Sequence, residues 1–574
     1  MTSTESDPPA GEAPFTHGVA SFDPTGDGVL LWTRAPGAGR LRWRVATGPG
    51  AEPAAQGEVA VPVGSDHCVT VPVDGLAPAT SYVYWFEAGP TRSPLGRTRT
   101  LPAAGTDPVR LAVVSCGDYS RGHFAAYRAV AEADVDLVLH VGDYIYETVG
   151  RDEVRTALPD HDVVTLDDYR ARYRQARGDP DLIALHQRHP MVAIWDDHDI
   201  ADNAWRHGSK HHDPNEHGRW EDRLRAAAIA HQEWVPARLP DPDDLLTVYR
   251  SFAVGDLAEL VLLDTRIAGR DQHADDHPSL PYDDPDRSML GDGQRRWAHQ
   301  LVGDTSRPWC LLVTQVVLNR MALPVEAGAR LGDLAPSGYA VIGGQAMCTD
   351  EWDGYPAERD ALVRAVAVRG PGVVALSGDV HSAWAFEGPC LGGDPVAVEL
   401  VVPCVSATPM GQQLPRGWRK LLGMVAERLP EARWFELERH GFLVVEVDER
   451  EVRAHWFAVD TEDPAAHAEP VSAWRHRRSQ VGRLEPLDGD GGAAGDVLAV
   501  RPHRAGDRPR PQVAVPGRPP EVVEAAARRA ARRRRLRRLG NAGGAVMLAA
   551  AGVRTRRRLG RDGSCGRPYL MTAW

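Results

Sequence analysis

The sequence predicts an α/β domain preceded by a β-sandwich, and three observations carry that expectation. Between Phe15 and about Thr100, short alternating apolar runs are separated by turn residues at near-regular intervals. From about 108 to 460, strand-like apolar runs alternate with helical patterns, the rhythm of a sheet with helical connections. Within that second region, run after run of apolar residues stops at a Cys, an Asp or an Asp-rich segment.

Residues 1–13 are polar and proline-rich and are expected to be a disordered tail. The sandwich, over 14–104, is built from the runs Gly28–Thr33, Leu41–Val45, Cys68–Val73 and Tyr82–Phe86, with turns at Asp23–Asp27 and Gly48–Gly50. The piece Gly75–Tyr84 looks like the corner-and-strand segment of fibronectin- and Ig-like domains, so a packing module without chemistry is expected here. A linker, Leu101–Pro108, leads into the α/β region, with helical patterns at Gly122–Ala133 and Glu221–Trp234. That region closes on the strand-like runs Phe442–Val447 and Val452–Phe457 near residue 460, and no internal repeat is visible. The remainder, 461–574, is rich in Pro, Ala, Gly, Asp and Arg, with basic runs at Arg532–Arg535 and Arg556–Arg558. It is expected to be a low-complexity tail in which Glu521–Arg538 can form one basic helix.

At 574 residues the chain is long enough for two or three units, and 43% hydrophobic with 25% charged residues is a globular balance. The net charge of -13 argues against a chain that coats nucleic acid along its length. The arginines at 532–538 are a candidate contact for nucleic acid or an anionic surface, with a merely solvated tail as the alternative. Because that tail is basic, the folded part is more acidic than the average, which suits hard cations. Seven scattered cysteines, without any C-x-x-C pair, argue against a disulfide framework. No apolar stretch has the length of a transmembrane segment, Ala545–Val553 being far too short. The N-terminus has neither a basic nor an apolar leader region, so a cytoplasmic location is expected. No oligomeric state follows from the sequence.

The chemistry lies where the apolar runs end. Leu111–Val114 stops at Ser115-Cys116; Val135–Val141 at Gly142-Asp143, with Tyr146 and Glu147 just beyond; Met191–Trp195 at Asp196-Asp197-His198-Asp199; Leu260–Leu263 at Asp264-Thr265-Arg266; and Val373–Leu376 at Ser377-Gly378-Asp379-Val380-His381. Ligands of open α/β sheets bind outside the carboxyl ends of the strands, so these groups are expected to meet at one edge of the central sheet. One such Asp is unremarkable as a cap or turn residue. Several together repel one another unless a cation lies among them, so a metal site is expected. Cys116, Asp143 and Tyr146 form an anionic set suited to a strongly Lewis-acidic ion such as iron, while Asp197 and Asp379 suit an oxygen-preferring divalent ion, with Asp143 able to bridge. Two such ions clamp a phosphoryl group and activate a water for in-line attack. His198 is placed to donate a proton to the leaving oxygen or to hold the phosphate.

Ser115-Cys116, Gly142–Glu147, Trp195–Asp199 and Gly378–His381 resemble the blocks of the calcineurin-like metallophosphoesterases, in the variants of the alkaline phosphatase D (PhoD-like) family. Asp264–Arg266, Gln294, Trp297, the strand Trp309–Gln315 and the opening Phe15–Phe22 resemble that family too. The resemblance covers about 14–460 and implies a calcineurin-like α/β sandwich behind the N-terminal domain. It also implies Fe(III) on Cys116, Asp143, Tyr146 and His381. Ca(2+) would sit on Asp143, Asp197 and Asp379, with room for a second Ca(2+), and the activity would be hydrolysis of phosphomonoesters and phosphodiesters. Asp199 stands where the family usually has Glu, and the twin-arginine signal of exported members is absent from this sequence.

Lesser signals have bland alternatives. The histidine-rich segment Trp205–His217 is either a lid over the site or a solvated loop. Arg266 either clamps phosphate bidentately or caps a carboxylate, Asn203 either assists metal or substrate binding or ends a turn, and Cys310 and Cys404 read as small buried hydrophobes. Two rival functions are a non-catalytic scaffold with a vestigial metal site and a metal hydrolase of non-phosphate esters.

Overall fold

The computed structural model describes residues 13–499 apart from 151–153, 274–282, 305, 322, 325–338, 343–344, 414–418, 420–422, 425 and 488–496. The expectations for residues 1–12, for the arginine runs and for a helix at Glu521–Arg538 therefore lie outside the described residues.

Apolar runs with no polar alternation need cover on both faces, and two stacked sheets supply it. The first sheet has ten strands in the order Glu485–Pro486, Glu469–Arg477, Glu451–Val459, His440–Val447, Val109–Val114, Leu137–His140, Met191–Ala193, Val19–Phe22, Val29–Arg34 and Cys68–Val73. The second has seven: Arg250–Val254, Ala258–Leu262, Trp309–Val313, Val373–Ser377, Val398–Val401, Ala383–Phe386 and Ala432–Glu436. Val109–Val114, Leu137–His140 and Met191–Ala193 run parallel, as do Ala258–Leu262, Trp309–Val313 and Val373–Ser377. Leu260, Leu262, Leu311, Val313, Val374 and Leu376 share one core with Val113, Leu139 and Val444 of the facing sheet. Their sequence neighbours Val261, Cys310, Leu312 and Ala375 point the other way, onto Ala298 and Val302 of helix Gly291–Gly303 and Leu362 and Val366 of helix Pro356–Arg369. Each such fully buried aliphatic side chain contributes about 1.5–3 kcal/mol. Helices Ala125–Glu132, Leu166–Arg177, Pro180–Arg188 and Trp220–Trp234 belong to the first sheet's side. Leu166–Arg177 starts at a reciprocal Thr165/Asp168 capping box, and Pro180–Arg188 at Asp179 followed by Pro180.

The N-terminal region is a two-layer sandwich whose core contains Leu31, Leu41, Val71, Tyr84 and Phe86. It is not a freestanding module. Val19–Phe22 pairs in parallel with Met191–Ala193, so one layer of the sandwich is the continuation of the large sheet. Phe22, Leu30 and Trp32 belong to the main core while Val29 and Leu31 belong to the sandwich core. That explains why Val29–Trp32 is apolar at every position. Arg250 adds a buried tie, binding both oxygens of Asp23 at 2.9 Å and the Ala193 carbonyl at 2.6 Å.

A low-complexity tail was expected from 461, yet sheet structure continues past it. Glu469–Arg477 pairs along Glu451–Val459, and Glu485–Pro486 adds a last short strand. Polar residues dominate here because this edge is held by ion pairs, Arg475 and Arg477 on Glu485 and Arg433 and Arg483 on Glu387. Among the described residues the six cysteines are unpaired, and no helix is long and apolar enough to cross a membrane.

Candidate metal centre

The predicted residues sit on tight turns directly after their strands. Cys116, Asp143, Asn203, Asp379 and His381 all have positive φ, from 49° to 61°, a region that costs non-glycine residues free energy and that persists where the surroundings impose it. Gly142 (φ 111°) supplies the bend before Asp143, and a Cβ there would lie 2.4 Å from that of Asp196. The groups do not come from one sheet edge, as the strand count alone suggested. Cys116, Asp143 and Asp197 follow strands of the first sheet, and Arg266, Asp379 and His381 follow strands of the second. The centre lies where the carboxyl ends of both sheets meet.

Cys116, Asp143 and His381 offer ligand atoms within 4.8 Å of one another, and so do Asp143, Asp196, Asp197 and Asp379. Asp143 belongs to both groups. The Tyr146 hydroxyl lies 2.8 Å from Asp143 Oδ2 and 2.9 Å from His381 Nε2. His381 Nδ1 lies 2.9 Å from the Thr408 carbonyl, which can only accept, so the proton is on Nδ1 and Nε2 carries a lone pair. One phenol proton thus faces two acceptors. Asp196 Oδ2 and Asp197 Oδ1 are buried without any hydrogen bond. Burial pushes Cys116 and Asp143 well above their ordinary pKa values and Asp379 to about 7, with neighbouring carboxylates adding to the shift. Burial lowers His381 to about 4. Left to themselves, Cys116 and Asp143 hold their protons and His381 stays neutral, and a set of crowded acceptors that cannot ionise together fits bound cations.

His198 packs its ring on Tyr146, centroids 4.2 Å apart, donates its backbone N–H to Asp143, and places Nδ1 2.7 Å from Glu147. Burial pulls its pKa down, but Glu147, Asp197 and Asp143 outweigh burial and raise it well above the usual value. Asp199 accepts from the backbone of Tyr144, Ile145 and Asp196 and so splints two of the turns together. The shorter side chain at this position is in reach of all three donors.

The geometry bears on two of the open readings. Arg266 is wholly buried, its guanidinium bound to Asp196 and, at 2.8 and 2.9 Å, to Asp350, with Asp197 and Asp379 at 3.4 and 3.3 Å. It is a counter-charge beneath the carboxylates instead of an open phosphate clamp. Asn203 meets Asp197 through its backbone N–H, at 2.6 Å, and not through its side chain. In the histidine-rich segment, His211 pairs with Asp202 at 2.8 Å, and Asp202 lies 3.9 Å from His198. Sequence reasoning left Glu147, Asp350 and Glu351 without roles. Glu147 stood in a quoted block, and Asp350 and Glu351, which cluster with Asp379, follow the strand Gln345–Cys348 as an acidic pair.

Fold and site together define a two-sheet α/β protein with an anionic, metal-type centre at its strand ends. Residues 111–456 match the PhoD-like phosphatase family and residues 2–102 match the PhoD-like phosphatase N-terminal domain. The chain belongs to the PhoD-like phosphatase family. It is 36% identical over 400 residues to alkaline phosphatase D of Bacillus subtilis (strain 168), an alignment that spans 65% of each protein. A solved structure of PhoD superposes with a TM-score of 0.72 at 28% identity, covering 85% of this chain and 94% of that one. A purple acid phosphatase, PPD1 of yellow lupin (Lupinus luteus) seeds, shares the fold at a TM-score of 0.50 and 12% identity, covering 81% and 74%.

Proposed function

We propose that this chain is a metal-dependent hydrolase of phosphomonoesters and phosphodiesters. One observation carries the reading: four aspartates, 143, 196 and 197 buried and 379 half-buried, share a 4.8 Å cluster, and one oxygen each of Asp196 and Asp197 accepts no hydrogen bond. Family membership and the alkaline phosphatase D relative support the same chemistry. Cys116, Asp143, Tyr146 and His381 would hold Fe(III), and Asp143, Asp197 and Asp379 would hold Ca(2+). When bound, these ions supply Lewis acidity toward a phosphoryl group and its attacking water.

The chain's own residues then have distinct tasks. Arg266 offsets part of the negative charge from below. Glu147 accepts from His198 Nδ1, which orients the ring and favours the imidazolium, and His198 delivers its other proton, on Nε2, to the departing ester oxygen. Thr408 fixes the tautomer of His381. Every ligand position recognised in the sequence is retained in the cluster, which weighs against a vestigial site.

The test is hydrolysis of p-nitrophenyl phosphate and bis-p-nitrophenyl phosphate by protein of measured iron and calcium content. Asp143→Asn should lower kcat by about 10³-fold or more and lower bound metal as well. Turnover within a few-fold of the parent chain would overturn the mechanism, and full activity in iron-free protein would overturn the iron assignment alone.

A further inference from the structure

Behind the metal loops lies a cluster that the hydrolytic reading does not use. Arg177, the last residue of helix Leu166–Arg177, is 1% exposed and lies 4.1 Å over the ring of Trp32. It makes no ion pair among the described residues, and its Nε and Nη2 have no hydrogen-bond partner. A buried cation normally has a counter-charge, because desolvation costs more than stacking on an aromatic face returns.

The rings around it close a circuit. Trp32 meets Trp234 at 5.6 Å between centroids, Trp234 meets Tyr173 at 6.4 Å, and Tyr173 meets Tyr144 at 6.0 Å. Tyr144 meets His186 at 5.9 Å, His186 meets Phe22 at 5.2 Å, and Phe22 lies 6.0 Å from the Arg177 guanidinium. Within this circuit Trp234 Nε1, Tyr173 Oη and His186 Nδ1 are also buried without partners. Tyr144 accepts from Arg177 Nη1 at 3.3 Å and lies 2.6 Å from His186 Nε2, and the arrangement that gives the phenol proton an acceptor has Tyr144 donating to that nitrogen. That leaves the His186 proton on Nδ1. The unsatisfied groups are therefore donors, since indole, guanidinium and this tautomer have nothing to accept with and only the Tyr173 hydroxyl can do both. A water bound here would have too few acceptors for its own protons, whereas an anion needs none.

We propose that a monovalent inorganic anion of the halide class binds inside this circuit, against Nε and Nη2 of Arg177. Its single charge matches the single guanidinium, and the aromatic walls suit a weakly hydrated ion. The site adjoins the metal centre through Tyr144, which follows Asp143 and whose N–H is held by Asp199 at 3.0 Å.

The test uses the full chain at fixed calcium and iron content, moved from sodium gluconate into sodium bromide at constant ionic strength. The melting temperature should rise by about 1 °C per tenfold bromide above the dissociation constant, nitrate should do the same, and Arg177→Met should abolish the dependence. Crystals grown in bromide should show an anomalous peak beside Arg177. A melting temperature indifferent to bromide with no such peak overturns the site. A response that persists in Arg177→Met, or a response to sulfate or phosphate alone, also overturns it. If Arg177→Met does not fold, the presence or absence of the anomalous peak decides.

Discussion

At the scale of single residues, His198 is held by Glu147 at 2.7 Å, a contact that raises its pKa against the pull of burial. A proton donor works only below its own pKa, so this contact extends activity toward alkaline pH. Glu147→Gln should remove that support and move the alkaline fall of kcat to lower pH. The effect should be larger for an alkyl phosphate than for a nitrophenyl ester, whose leaving group needs no proton. An unchanged kcat–pH profile on an alkyl phosphate would assign proton delivery elsewhere. Cys116, Asp143, Asp197 and Asp379 were legible in the sequence because each follows an apolar run, and a strand end is a local signal. The pairing of Glu147 with His198 was not legible, since the two are brought together by turns from different strands 51 positions apart. Arg266 was ambiguous for the same reason: whether it faces substrate or carboxylates depends on Asp350, which lies 84 positions away.

At the scale of elements, the boundary near 460 was read from composition, and composition misled because the strand Glu469–Arg477 has little apolar content. It covers Glu451–Val459, and His476 packs its ring on Trp309 at 5.7 Å. A chain ended at residue 460 should expose that edge, with a melting temperature lower by on the order of 5 °C or outright aggregation. A chain ended at 499 keeps the covering strands and should melt above the 460 form. Equal melting of the 460 and 499 forms would show that the last two strands contribute nothing.

At the scale of the whole molecule, the strand pattern did announce a sandwich before residue 104, yet it gave no sign that one layer would be continuous with the large sheet. Parallel pairing of Phe22 with Met191 is a long-range contact that no local pattern encodes. The consequence for stability is direct. Residues 14–104 produced alone would expose Phe22, Leu30 and Trp32, losing about 1.5–3 kcal/mol for each, and should show no cooperative thermal transition. Calorimetry of the full chain should show the N-terminal layer melting together with the metal domain, and two separated transitions would contradict the shared core. The left-handed turns at Cys116, Asp143, Asn203, Asp379 and His381 carry a different implication. A laboratory selection for heat resistance would be drawn to these positions, because glycine relieves the backbone there. At the ligand positions such a selection would enrich sturdy, inert molecules, so durability and turnover are opposed at the same few codons.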